Sequence, residues 1–164
     1  MTAFPESAFG PADLLELDAQ PLAVVRHDGI RIEDLRDAFD TGFAAIGRLF
    51  GEGRLSPVGP ALAIYRGNPM EAFDLELGFP VAEAPTQPIE SAGETVVAAA
   101  LPAGSALATT VFGSYDTLGN AWSALVEHAD AAGKTLRGIS IEVYVSDPTE
   151  PAERLRTDLI LPID

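Results

Sequence analysis

Gly138-Ile-Ser-Ile-Glu-Val-Tyr-Val-Ser-Asp-Pro148 is matched, position for position, by Gly59-Pro-Ala-Leu-Ala-Ile-Tyr-Arg-Gly-Asn-Pro69. Both begin with glycine, alternate through an apolar core to a tyrosine and end in a turn-forming Asp-Pro or Asn-Pro. Working outward, Gly29 falls on Gly113, Leu35 on Leu118, Ala38 on Ala121, Phe39 on Trp122 and Pro80 on Pro162. The offset stays between 79 and 84 residues, so only loop lengths differ. A sequence that repeats its own landmarks encodes one supersecondary unit twice.

The unit itself reads as strand, helix, strand, strand. Gln20–Gly29 is β-rich and closed by glycine. Leu35, Ala38, Phe39, Phe43, Ile46 and Phe50 recur at helical spacing, and Gly51 and Gly53 suit the helix end. Ala61–Tyr65 follows, then Phe73, Leu75, Leu77 and Phe79 alternate with Asp74, Glu76 and Gly78 as in a half-buried strand. The second half runs through Ser105–Phe112, a stripe of Leu118, Ala121, Trp122, Leu125 and Ala129, then Ile139–Val145 and Leu155–Leu161. Thr95–Leu101 is also strand-like and opens the second copy. The expected fold is therefore α+β: a tandem duplication of a β-α-β-β unit, with antiparallel sheets and helices on one face. Residues 1–14 read as a flexible leader, 15–82 as copy one, 83–94 as a linker and 95–164 as copy two. A three-stranded unit with one helix is too small to bury both sheet faces, so a ligand cleft is expected between the copies.

Composition narrows the function. Ten Lys and Arg against 25 Asp and Glu give a net charge of −15. Such a surface repels phosphate backbones, which argues against direct nucleic-acid binding. Cysteine is absent and the two histidines, His27 and His128, are far apart, so neither thiolate chemistry nor a metal site is expected, and no cofactor motif is present. The N-terminus has no signal-peptide pattern and no apolar run reaches membrane-spanning length, so the expected setting is cytoplasmic with no membrane partner. No nucleophile elbow or phosphate loop appears either.

Side chains two apart in a strand share a face. On this reading Ile139, Ile141, Val143 and Val145 pack under the helix, while Ser140, Glu142 and Tyr144 point away from it. In the first copy Leu62 and Ile64 take the helix side and Ala61, Ala63 and Tyr65 the other. An alternating glutamate is ordinarily a solvated face residue. Here Tyr144 shares its face and Tyr65 recurs in the other half, and apolar walls with few polar groups are the usual makeup of a ligand pocket. Trp122 is core or the floor of the site. Tyr115 is a rim residue, Phe112 a weaker candidate, and His27 ends the matching first strand. Asp74, Glu76, Arg156 and Asp158 read as solvated alternates.

Ser56–Tyr65, Leu75–Pro80, Leu101–Gly104, Gly113–Asp116 and above all Gly138–Pro148 resemble the GyrI-like small-molecule-binding domain, from about residue 15 to the C-terminus. That family comprises effector-binding domains of bacterial multidrug-responsive transcription activators and stand-alone forms, including a gyrase inhibitor. The resemblance implies two tandem β-α-β-β units around a cleft where a glutamate amid aromatics attracts cationic, aromatic drugs; Glu142 matches that position. Drug sequestration or sensing is the implied role. Two alternatives accompany it: hydrolysis of cyclopropane-bearing electrophiles, with Glu142 as the catalytic group, and docking on a protein partner such as a regulator or gyrase. No DNA-binding segment accompanies the resemblance, so a regulatory role implies a separate partner.

Overall fold

The computed structural model describes residues 3–68, 70–146 and 149–164. The turns expected at Pro69 and Asp147-Pro148 lie outside the described residues. The chain forms two compact units, one of Ala19–Leu101 and one of the residues up to Asp18 together with Pro102–Asp164.

The first unit contains β2 (Pro21–Ile30), α1 (Leu35–Gly51), β3 (Ala61–Arg66), β4 (Phe73–Pro80), β5 (Ile89–Ser91) and β6 (Glu94–Ala100). Its strands pair antiparallel in the order β3-β4-β2-β6-β5. The second contains β1 (Asp13–Leu17), β7 (Gly104–Phe112), α2 (Leu118–Ala131), β8 (Ile139–Tyr144) and β9 (Arg156–Pro162), paired antiparallel as β1-β7-β9-β8. The duplicated motif is therefore β2-α1-β3-β4 and β7-α2-β8-β9, as its landmarks indicate.

The helices end alike. Gly53 and Gly133 take positive φ of 73° and 69°, which glycine adopts without a Cβ clash. The next amide closes a six-residue loop in each case, Arg54 N to Leu49 O and Lys134 N to Ala129 O. Under α1 the closest contact falls to small residues rather than to the aromatic stripe. Ala38, Gly42, Ala45, Ile46 and Leu49 are buried, and a Cβ on Gly42 would stand 3.2 Å from Leu77 Cδ1. Phe50 and Phe79 flank this core, with ring centroids 4.8 Å apart. Under α2, Leu125 and Ala129 pack on Leu107, Leu159 and Leu161.

Five expectations need correction. Thr95–Leu101 does not open the second copy, and residues 83–94 are not a bare linker. β6 pairs with β2 (Val97 opposite Val24), and β5 and β6 form a hairpin turning at Ala92-Gly93. Ser91 Oγ ties that hairpin to the Ala45 carbonyl at 2.8 Å. β1 likewise belongs to the second unit, so each duplicated motif gains strands from outside itself.

The leader is also held. Phe9 is buried and its amide donates to Thr110 Oγ1, while Arg156 donates to the carbonyls of Pro5, Glu6 and Ser7. Arg156 in turn grips Asp158 at 2.9 Å, and Asp158 accepts from Thr110 at 2.7 Å. Asp158 is fully buried and Glu76 nearly so, the latter paired with Arg66 at 2.9 Å, so neither is a solvated alternate. A charge can be buried when it is paired and hydrogen-bonded.

The fifth correction concerns faces. Directly opposed residues of an antiparallel pair share a face. Glu142 stands opposite Leu159 and Tyr144 opposite Thr157, and Leu159 packs under α2. Ala63 stands opposite Leu77, which meets α1 at Gly42, and Tyr65 stands opposite Leu75. Glu142, Tyr144, Ala63 and Tyr65 thus lie on the helix side, while Leu62, Ile64, Ile141 and Val143 lie on the far side. Both faces of β3 and β8 are buried, so alternation alone carries no orientation.

Candidate functional site

Gly113-Ser-Tyr-Asp-Thr117 leads into α2 through a single turn of 3-10 helix at Tyr115–Thr117. Ser114 caps it, its Oγ accepting from the Asp116 amide at 3.2 Å. This turn sets the Tyr115 ring against Tyr144 of β8, edge to face, with centroids 6.1 Å apart. About two helical turns beyond Tyr115, Trp122 sits at the margin of the α2 core, which draws its strand residues from β7 and β9. Its indole reaches past that core to β8.

There it meets Glu142. The Trp122 Nε1–H donates to Glu142 Oε2 at 2.9 Å, and the Tyr144 hydroxyl donates to Oε1 at 2.6 Å. Glu142 is only 9% exposed, and each carboxylate oxygen receives a donor from a different aromatic residue. Buried polar groups require such partners, and hydrogen bonds to an ionised acceptor are the stronger kind. The carboxylate acts on its surroundings in turn. Burial, and secondarily the Glu142 charge, push the Tyr115 phenol above its ordinary value. Tyr115 therefore keeps its proton throughout the neutral range and remains a hydrogen-bond donor.

Four of the seven residues singled out from sequence, Glu142, Tyr144, Trp122 and Tyr115, come together in this one unit. Tyr65 and His27 belong to the other unit. Tyr65 packs on Phe73 at 5.7 Å, and His27 shares its row across Leu75. His27 Nε2 is buried with no hydrogen-bond partner among the described residues. Phe112 is 63% exposed and stands opposite Arg156, on the face away from α2. It does not join the cluster, because residues 111 and 112 alternate and Val111 takes the helix side.

Among the described residues no group of three metal-ligating side chains gathers, and no helix is long and apolar enough to cross a membrane. A shallow groove of about 720 Å³ runs along Arg54, Ser56, Glu83, Pro85 and Gln87. None of the seven residues lines it, and its openness and lack of aromatic walls fit solvent better than an organic ligand.

The sequence profile of the GyrI-like small-molecule-binding domain matches residues 11–164. No curated protein matches the chain. Among solved structures, the C-terminal domain of EcmrR superposes with a TM-score of 0.75 at 17% identity, covering 93% of this chain and 96% of that one. In the EcmrR–DNA complex the match covers 93% of this chain and 57% of EcmrR, with a TM-score of 0.74 and 17% identity. SAV2435 bound to tetraphenylphosphonium gives 0.62 at 10% identity, covering 93% of each chain. A hydrolase encoded by lin2189 from Listeria innocua gives 0.60 at 12%, covering 93% of this chain and 91% of that one. At such identities these likenesses establish the shared fold.

Proposed function

The chain belongs to the GyrI-like small-molecule-binding domain family, and on that premise we propose that it binds aromatic, cationic organic molecules at Glu142, in drug sequestration or sensing. The observation that carries this reading is the nearly buried Glu142 carboxylate held by Trp122 and Tyr144. Its negative charge lies beside the rings of Tyr144, Trp122 and Tyr115, whose faces also carry negative potential. Both features favour a cation with apolar flesh around it. A cation over an aromatic face contributes roughly 0.5–2 kcal/mol, depending on desolvation. Several rings and one carboxylate together are enough for micromolar affinity, about −8 kcal/mol. Stacking tolerates changes of ligand shape, so selectivity is broad. The neighbour bound to tetraphenylphosphonium supports the class of ligand. The shared fold of EcmrR, solved in complex with DNA, supports the sensing alternative.

The test is the charge dependence of Glu142→Gln. Cationic dyes lose affinity by tenfold or more, while neutral dyes of similar size change little. Equal losses for both classes reject the electrostatic role.

A second reading draws on the 2.6 Å contact between Tyr144 and Glu142. In this reading Glu142 takes the proton of a water as the water oxygen bonds to a carbon of a strained, electrophilic ring. The ring C–C bond breaks, its electron pair passes to the substrate's electron-withdrawing group, and Glu142 returns the proton there, with Tyr144 orienting the substrate. Turnover of a cyclopropane-bearing compound by the native protein, abolished in Glu142→Gln, selects hydrolysis over binding alone.

A further inference from the structure

β9 holds Thr157 between Tyr144 of β8 and Val111 of β7, all three on the α2 side of the sheet. Opposed residues in such a ladder have Cβ atoms about 4.5–5.5 Å apart and diagonal ones about 7–8 Å. The Thr157 side chain therefore stands beside Tyr144 and one diagonal step from Glu142. It is 1% exposed, and its Oγ1 has no hydrogen-bond partner among the described residues. A buried hydroxyl without a partner works against folding, so its presence needs a reason.

Packing does not supply one. Pro80 and Pro162 set the register of the repeat, which places Leu75 at the position equivalent to Thr157. Leu75 is fully buried, stands opposite Tyr65 and His27, and fills the same place in its own unit with an apolar side chain. The frame thus accepts a hydrocarbon here. The hydroxyl occurs in the copy that also carries the carboxylate.

Resting on the binding reading above, we infer that Thr157 is a ligand-contacting residue of the Glu142 site. Its Oγ1 hydrogen-bonds a heteroatom carried beside the cationic ring system of the bound molecule. A hydroxyl both donates and accepts, so the favoured ligands are aromatic cations bearing an amino, hydroxyl or carbonyl group. Bare lipophilic cations of the same size gain nothing from it. The route to Thr157 is past Tyr115 and Tyr144. Tyr115 is 43% exposed at the start of its helix and meets Tyr144 edge to face, so these two rings form the solvent-facing side of that strand position.

The experiment compares two probes, ethidium, which carries amino groups, and tetraphenylphosphonium, which has no hydrogen-bonding group. Affinities are measured by calorimetry for the native protein, Thr157→Val and Thr157→Ser, alongside each variant's thermal midpoint. Valine keeps the shape and removes the hydroxyl, so the midpoint is expected to hold or rise. Ethidium should bind about three- to tenfold more weakly, the worth of one neutral hydrogen bond. Tetraphenylphosphonium should be unchanged, and Thr157→Ser should restore ethidium binding. Unchanged ethidium affinity overturns the inference. So does an equal loss for both probes with a lowered midpoint, which assigns the hydroxyl to the fold. A native protein that binds neither probe overturns the Glu142 site itself, and Thr157 with it.

Discussion

In the unit built on α2, Trp122 of the helix reaches Glu142 of β8, and Tyr144 joins them two residues along. In the unit built on α1, the same three positions hold Phe39, Ala63 and Tyr65. Ala63 is fully buried, so the frame closes without a carboxylate. The indole N–H and the acid stand where the other unit has a phenyl ring and a methyl group, so donor and acceptor occur together in one copy and are both absent from the other. What the two copies share is the fold; what they do not share is the polar chemistry placed on it. A second contrast lies at the far-side charges. Asp158 is completely enclosed with Arg156 and Thr110, whereas the equivalent Glu76 meets an Arg66 whose side chain is 39% exposed.

That second contrast should give the largest effect. Asp158→Ala leaves Arg156 enclosed without its carboxylate and loosens the N-terminal segment it anchors. The loss expected in urea unfolding is about 3–5 kcal/mol. Glu76→Ala, with a more hydrated partner, should cost only about 1 kcal/mol. Similar losses at both sites would remove the distinction between the two pairs.

A smaller effect is expected when the α2 unit is turned into a copy of the other. Trp122→Phe leaves the Glu142 oxygen without its indole donor, and the expected cost is about 1–3 kcal/mol. The same change made on Glu142→Ala should cost clearly less, since no acceptor remains. A double-mutant cycle measures this coupling. Phe39→Trp in the other unit gains no such partner and should not stabilise the protein.

The smallest effect is spectroscopic. Glu142→Gln removes the lesser of the two causes that raise the Tyr115 phenol, while burial remains. The phenol should move down part of the way and still titrate above its ordinary value of about 10. Tyrosinate absorbance followed through alkaline pH reports it. The sign for stability follows from linkage. A phenol raised in the folded state contributes stability that is intact below the unfolded value and is lost as pH climbs through the folded one. Glu142→Gln should narrow that window.

Much of the frame was legible because the repeat is written in glycines, prolines and tyrosines at a nearly constant offset. Gly29 and Gly113 mark the ends of the matched first strands, and Pro80 and Pro162 the ends of the matched last ones. The partnership of Glu142 with Trp122 was less so. Both were singled out, but on opposite sides of the sheet, because Leu62, Ala63 and Ile64, like Ile141, Glu142 and Val143, are buried on both faces. Alternation orients a strand only when one face meets water. The ownership of β1 and β6 depends on long-range pairing, Leu15 with Ala106 and Val24 with Val97, which local pattern does not encode. Asp158 looked like an ordinary polar alternate, since its partner Thr110 lies 48 residues away. Thr157 could have been noticed by asking where the repeat replaces a leucine with a hydroxyl.

The central claim is that Glu142 makes this domain select cations. Tetraphenylphosphonium and tetraphenylborate are near-isosteric and opposite in charge, so the ratio of their affinities isolates the sign of the site. Calorimetry at 0.15 M salt limits the reach of the −15 net charge to about 8 Å. The native protein should prefer the cation strongly, and Glu142→Gln should lower that preference by tenfold or more. A ratio that is the same in both proteins would contradict the account.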